Sequence, residues 1–264
     1  MNKFNNLSIY KKIINEKLTC FFVSPHFDDA IFSAGGLMHE LAKKGVPIIL
    51  VNVFTKASPP PYTLSIKKFL KDCGYEDAHK LYEARINEDA DVAYVINAKV
   101  INLGFVDGLW RKRKGNGYLK ILSKFVPEFG YEYPIFRLAR WMVSKESIRI
   151  EKQLSEKIEY YIKKYKNAVI FGPLGIGNHP DHHIVKNALQ TLKQDCIIYW
   201  ADYPYFETDN KLINKSSKFI QYTFEANQKE KMKLVLGYKS QISAIFGKNK
   251  INTKKEIFFK YNEK

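Results

Sequence analysis

"TCFFVSPHFDDAIFSAGG", residues 19–36, carries an apolar run straight into a histidine and two aspartates within four positions. The run at 18–23 reads as a buried strand, because short stretches rich in Val and Phe pack well on a pleated surface. His26, Asp28 and Asp29 all prefer water, so a buried strand that ends on them ends where imidazole and carboxylate are wanted together. The residues after them enter a helix. A strand that feeds a helix through a polar turn is the building unit of an open parallel sheet, and such sheets bind ligands outside the carboxyl ends of their strands.

Similar strand-like runs recur at 47–54, 99–103, 168–171, 196–200 and 218–223. They are short and mostly apolar on both faces, as strands covered on both sides must be. Helical periodicity lies between them. At 149–165 Ile150, Leu154, Ile158, Tyr161, Ile162 and Tyr165 share one stripe with Glu and Lys opposite. Residues 77–94, 183–193 and 226–243 carry the same spacing. The alternation predicts a doubly wound α/β fold, a mostly parallel sheet with helices on both faces, in a single domain over 1–264. Two stretches interrupt it. Residues 55–74 begin as a loop at Pro59, Pro60 and Pro61. Residues 104–147, with Gly104, Gly108, Gly115 and Gly117 and an Arg- and aromatic-rich segment ending near Trp141, are too long for a plain connection. They read as an insertion that shapes the substrate mouth.

With 264 residues, 45% of them hydrophobic and 27% charged, the chain is neither disordered nor membrane-spanning in composition. It has no apolar run of about 20 residues and no secretion signal at its N-terminus, so a cytoplasmic location is expected. Three widely spaced cysteines, Cys20, Cys73 and Cys196, suit reduced thiols in that compartment. The net charge of +16 admits an anionic substrate, a membrane surface or nucleic acid. A densely basic knot stands at Arg111, Lys112, Arg113 and Lys114, but no nucleic-acid fold signature accompanies the charge, and a nucleic-acid partner is not expected.

A second polar cluster follows another strand. "FGPLGIGNHPDHH", residues 171–183, sets His179, Asp181, His182 and His183 at the start of a helix. Both clusters then meet at one sheet edge. Zinc takes imidazole nitrogen and carboxylate oxygen, and a catalytic zinc keeps three protein ligands and an open position. His26 and Asp29 on a tight turn, with one histidine from the second loop, supply such a set, and Asp28 remains as a base. Another histidine can serve an oxyanion or a leaving amine. Simple capping of the next helix by Asp28 or Asp29 is the plainer reading of the first cluster.

At these residues the chain resembles the PIG-L/LmbE-like family of zinc-dependent N-acetylglucosaminyl de-N-acetylases. SPHFDDAIFSAGG matches the SPHxDDAxxSxGG form of the first family motif, and His179-Pro180-Asp181-His182 matches HPDH. Arg85 to Glu88 is similar to RxxE, Leu103 to Gly108 to LGxxDG, and Lys231 to Gln241 to KxxxxxxYxSQ, all in family order. The resemblance implies a Rossmann-like sheet and zinc ligation by His26, Asp29 and His182, with Fe²⁺ as the other ion the ligands suit. It implies Asp28 as general base and His179 as the group that stabilises the intermediate or protonates the amine. Asp181 would orient His179 by accepting its ring proton, and Arg85 and Asp107 would bind sugar hydroxyls. Ala30 and Gly177 depart from residues seen elsewhere in the family, an acid and a tyrosine respectively.

The expected function is therefore metal-dependent removal of an N-acetyl group from an N-acetylamino sugar or its conjugate, of GlcNAc type. The alternative is an inactive member that binds a glycan or an anion. The expected partner is a small acetylated sugar, with peripheral contact to a membrane left open. The basic residues Arg111 to Lys114, Arg137 and Arg140 suit a diphosphate-bearing substrate or a solvated surface equally.

Overall fold

The computed structural model describes residues 2–114, 121–133, 144–165, 167–192, 197–208, 219–247, 251 and 255–262. Gly115, Gly117, Arg137, Arg140, Trp141, Cys196 and Lys218, named above, lie outside these residues.

Eight strands form one sheet: β1 (Asn2–Lys3), β2 (Cys20–Ser24), β3 (Ile48–Lys56), β4 (Ala98–Val106), β5 (Val169–Pro173), β6 (Ile197–Trp200), β7 (Phe219–Glu225) and β8 (Lys255–Tyr261). Their order is β1-β7-β8-β6-β5-β2-β3-β4. Every pairing is parallel except those of β8, which runs antiparallel to both β6 and β7. The expected strand at 218–223 is observed as β7. The terminal strands β1 and β8 carry no signal that sequence periodicity picks up, because β1 has two residues and Lys255–Tyr261 is framed by lysines.

The described α-helices of eight residues or more are α1 (Ser8–Glu16), α2 (Asp29–Lys43), α3 (Leu64–Cys73), α4 (Ala78–Val95), α5 (Lys145–Ile162), α6 (Pro180–Gln190), α7 (Gln228–Leu236) and α8 (Lys239–Phe246). The helix expected over 226–243 is thus two helices, broken at Gly237 and Tyr238. Residues 55–74 are a proline loop that then becomes α3, with Thr63 capping its first turn by accepting from Ile66 N–H.

The period-two rule places the strand residues. Phe22 and Leu50 face one core, built with α1, α2, α3, α4, α7 and α8. Phe21, Val23, Ile49 and Val51 face a second core, built with α5 and α6. Helices therefore cover both faces, as the apolar strands require. Strand order reverses between β2 and β5: the chain moves outward through β3 and β4 on one side and through β6 on the other. This switch point opens a crevice at the carboxyl ends of β2 and β5, where both polar loops emerge.

Candidate active site

The turn after β2 is braced by Ser24. Its hydroxyl donates to His26 O at 2.5 Å and accepts from Ala30 N–H at 2.9 Å. Asp28 occupies the N-cap position of α2, yet its side chain makes no capping hydrogen bond. Asp29 points backwards instead, with Oδ2 accepting from His26 N–H at 2.8 Å and lying 2.9 Å from His26 Nδ1. Helix capping is therefore not what these two carboxylates do.

From the other side of the crevice, α6 begins at Pro180 with His179 as its N-cap. His182 Nε2 comes within 3.3 Å of the same Asp29 Oδ2. His182 Nδ1 is held by Asp202 Oδ1 at 2.7 Å. The ring centroids of His26, His179 and His182 lie 4.9 to 5.7 Å apart. Loops more than 150 positions apart in the chain thus meet as expected.

A cation fits this cluster. Ligand atoms of His26, Asp29 and His182 lie within 4.8 Å of one another. Among the described residues, His182 Nε2 and Asp28 Oδ2 are buried polar atoms with no hydrogen-bond partner. A second group, His26, His179 and Asp181, is equally compact, but its carboxylate is already compensated by a guanidinium. The protonation preferences point the same way. Burial pulls the His26 imidazolium down, but Asp107, Asp29 and Asp181 outweigh it and hold it well above the ordinary value. Burial likewise opposes the His182 imidazolium, and Asp29 and Asp202 push it up to about 10. Burial works against the Asp29 carboxylate, which His182 and His26 nevertheless hold well below the usual range. The cavity asks for positive charge at the point where the two imidazoles and Asp29 converge.

His179 is the exception. Burial and the neighbouring His182 and His26 push its imidazolium well below the ordinary value, so it stays neutral. Its Nδ1 accepts from the backbone N–H of Asp181 at 3.2 Å, which places its proton on Nε2. The expectation that Asp181 accepts the His179 ring proton differs from this arrangement. The Asp181 carboxylate turns to Gly108 N–H at 2.7 Å, Arg111 Nη2 at 2.5 Å and His26 Nε2 at 3.3 Å. Asp181 is held below the usual range because Arg111 and His26 overcome the cost of burial.

Arg85 and Asp107 also reach the site, from below. Arg85 stands 3.6 Å from Asp28 Oδ1 and 4.0 Å from Asp107 Oδ2, between the rings of Phe27 and Tyr82. Asp107 accepts from Tyr82 OH and from Leu109 N–H, both at 2.9 Å. Asp28 is raised above the usual range by burial, with Arg85 acting against the shift.

The basic knot is not a uniform solvated surface. Arg111 is buried and holds Asp181, Val106 O and, at 3.5 Å, Glu132. Lys112 donates to Pro59 O, Arg113 to Tyr131 O, and Lys114 pairs with Glu146. His183 lies beside the centre, 3.4 Å from Asn178 Oδ1, and is pushed down to about 4 by burial.

Sequence reasoning reads Asp202 to Tyr205 as a loop after a strand that resembles a tyrosine-rich, pocket-lining loop of the family or else an ordinary turn, and it gave Asp202 no part in orienting His182. Asp202 Oδ2 also accepts from Ile176 N–H at 2.8 Å, which ties the two loops together. The departure at Gly177 has a packing reason. With φ at +86°, a Cβ there would lie 2.5 Å from Tyr205 Cβ. Tyr205, which opens the short helix Tyr205–Thr208 after β6, sets its ring edge-on to His182 at 5.7 Å.

A family model described as PIG-L, GlcNAc-PI de-N-acetylase, matches residues 21–193. The 2'-N-acetylparomamine deacetylase of Niallia circulans is 24% identical over 249 residues, covering 88% of this chain and 84% of that protein. Among solved structures, the zinc-inhibited form of teicoplanin deacetylase Orf2 superposes with a TM-score of 0.73 at 18% identity, over 93% of this chain and 99% of that one. The A40926 pseudoaglycone deacetylase Dbv21 superposes with a TM-score of 0.70 at 18% identity, over 92% of this chain and 96% of that one.

Proposed function

The chain belongs to the PIG-L, GlcNAc-PI de-N-acetylase family, and from that premise we propose that it is a metal-dependent hydrolase that releases acetate from an N-acetylated amino sugar or a conjugate of one. The observation that carries this reading is the convergence of His26 and His182 on one oxygen of Asp29, with Nε2 of His182 lacking a hydrogen bond.

His26, Asp29 and His182 would hold the ion, with zinc the best match to two imidazoles and a carboxylate and Fe²⁺ the second choice. When bound, such an ion supplies Lewis acidity to the acetamide carbonyl and acidifies water for attack. Asp28 accepts the proton of the attacking water on Oδ2, the buried oxygen without a partner. Burial raises the affinity of that carboxylate for a proton, as suits a base, and Arg85 acts against the rise. Neutral His179 presents Nε2–H, which suits a hydrogen bond to the developing oxyanion better than proton delivery. Asp28 then returns the proton to the departing amine nitrogen. Water and amide are thereby converted to acetic acid and a neutral amine, and transfer of the acid's own proton to that amine gives acetate and an ammonium group. Asp202 fixes the His182 tautomer, with the proton on Nδ1 and Nε2 free to ligate. Arg85 and Asp107 are the residues offered to sugar hydroxyls, and the root of the insertion at 107–111 forms that side of the site. The relatives named above are deacetylases of 2'-N-acetylparomamine, of teicoplanin and of the A40926 pseudoaglycone, which supports a conjugate rather than a free amino sugar as the substrate class.

The test combines metal analysis with acetate release from N-acetylglucosamine, its UDP derivative and an aglycone-linked form. About one metal ion per chain and acetate from at least one substrate are expected. Asp28→Ala should retain the metal and lose about 10²- to 10⁴-fold in turnover. Turnover by this variant at the native rate would remove Asp28 from the mechanism, and a native chain that takes up no metal on reconstitution would overturn the reading.

A further inference from the structure

The described part of the insertion carries an apolar surface that neither the core nor the active site uses. Ile121, Phe125, Val126 and Phe129 are exposed, Phe125 at 80% and Ile121 at 60%. Leu64, at the start of α3, is exposed at 75%, and its N–H donates to Glu128 Oε1 at 3.0 Å, which joins it to the turn that bears Phe129. The chain from Ile121 to Val126 is a tight helical turn, with Lys124 N–H on Ile121 O and Val126 N–H on Leu122 O.

Positive charge predominates around this surface, with the Glu128 carboxylate that accepts from Leu64 N–H as the exception. From Leu109 to Pro127 the sequence holds six Lys and Arg and no Asp or Glu. Arg113 and Lys124 are exposed there, and Lys67 is exposed on α3 beside Leu64. Contiguous exposed apolar side chains mark an interaction surface. Protein interfaces enrich aromatic residues and Arg but deplete Lys, so a lysine rim argues against another protein. The headgroup region of an anionic bilayer accepts both features: Phe, Ile and Leu enter the acyl boundary while Lys and Arg meet phosphate and carboxylate.

We propose that Leu64, Ile121, Phe125, Val126 and Phe129, rimmed by Lys67, Arg113 and Lys124, dock this chain reversibly on an anionic phospholipid bilayer. The same excursion is rooted at Gly108 and Arg111, which hold Asp181, so docking sets the carboxyl edge of the sheet close to the lipid surface.

The experiment is co-sedimentation of the full chain with phosphatidylcholine vesicles, with and without phosphatidylserine. It reads binding alone and so stands or falls separately from deacetylation. Binding to the phosphatidylserine vesicles is expected at low salt, several-fold weaker on pure phosphatidylcholine and weakened again by added salt. Ile121→Asp with Phe125→Asp should lower the affinity by about tenfold or more at an unchanged melting temperature. Should that pair lower the melting temperature, Phe125→Ser, the milder change at the most exposed ring, replaces it. No binding to either vesicle, or equal binding by the variants, overturns the proposal. So does self-association of the native chain that the Phe125 variant abolishes, which would make a second copy the occupant.

Discussion

Asp202 shows how a single carboxylate ties the candidate centre together. It accepts from His182 Nδ1 with one oxygen and from Ile176 N–H with the other. The ring it aims is the one that meets Asp29. Partners that orient a metal-binding histidine are worth about 10- to 100-fold in metal affinity when removed. Asp202→Asn should therefore weaken metal binding by about that factor, read by competition with a chromophoric chelator, while leaving the metal-free chain folded. Metal affinity equal to the native chain's would show that His182 is held by packing alone. At this scale the residue types were legible, since imidazole and carboxylate within a few positions of each other suit such an ion. Their partners were not. Arg111 sat in a run of four basic residues, and nothing local distinguishes the one whose neighbours fold over it and bury it against Asp181 from the three that remain nearer the surface.

Helix α2 carries both aspartates, and its position depends on contacts at its middle. The Glu256 carboxylate on β8 accepts from Gly36 N–H at 2.7 Å and Leu37 N–H at 2.9 Å, and Lys231 from α7 pairs with it at 2.8 Å. Both side chains, Glu256 and Lys231, are buried, so this late strand fastens the helix that bears the site. The close approach needs Gly36. A Cβ there would lie 2.2 Å from the Cβ of Ala226. Ala in place of Gly within a helix ordinarily stabilises by about 1 kcal/mol, but overpacking costs about 1–3 kcal/mol and the clash is with a side chain that cannot swing away. Gly36→Ala should therefore destabilise the chain by about 1–2 kcal/mol in urea unfolding. A stabilised variant would mean that α7 moves away freely. Gly35 and Gly36 stand side by side in the sequence, but β8, whose Glu256 accepts from Gly36 N–H, lies some 220 positions away.

The whole molecule stores a proton beneath the site. Asp89 on α4 accepts from Asn52 Nδ2 on β3 at 2.7 Å and from Tyr238 OH at 2.8 Å. Burial lifts its carboxyl to about 7, against the pull of both donors. The folded chain thus holds a proton that the unfolded chain releases near the ordinary carboxylate value. Between about pH 4 and 7 the folded state binds more protons, and stability falls as pH rises through that window. Asp89→Asn keeps the shape and removes the titration. In urea unfolding the native chain should lose stability relative to this variant between those pH values, by about a few kcal/mol at most at about 1.4 kcal/mol per unit. A difference that does not change with pH would place the native proton elsewhere.

What the sequence determined by itself was local and periodic. Short apolar runs at 18–23 and 47–54, helical stripes at 149–165, and polar clusters at the ends of apolar runs all follow from the few residues around each position, and together they specify a doubly wound sheet with chemistry at one edge. Tertiary structure decided what depends on distant neighbours. It made β1 and β8 strands by pairing them, since a two-residue segment and a lysine-framed one have too little pattern of their own. It divided the helix expected over 226–243 at Gly237 and Tyr238, where Tyr238 turns inward to Asp89. It also chose which acid meets which base: Asp181 went to Arg111 rather than to the His179 ring because burial of a guanidinium demands a carboxylate, and the only way to see that demand is to fold the chain.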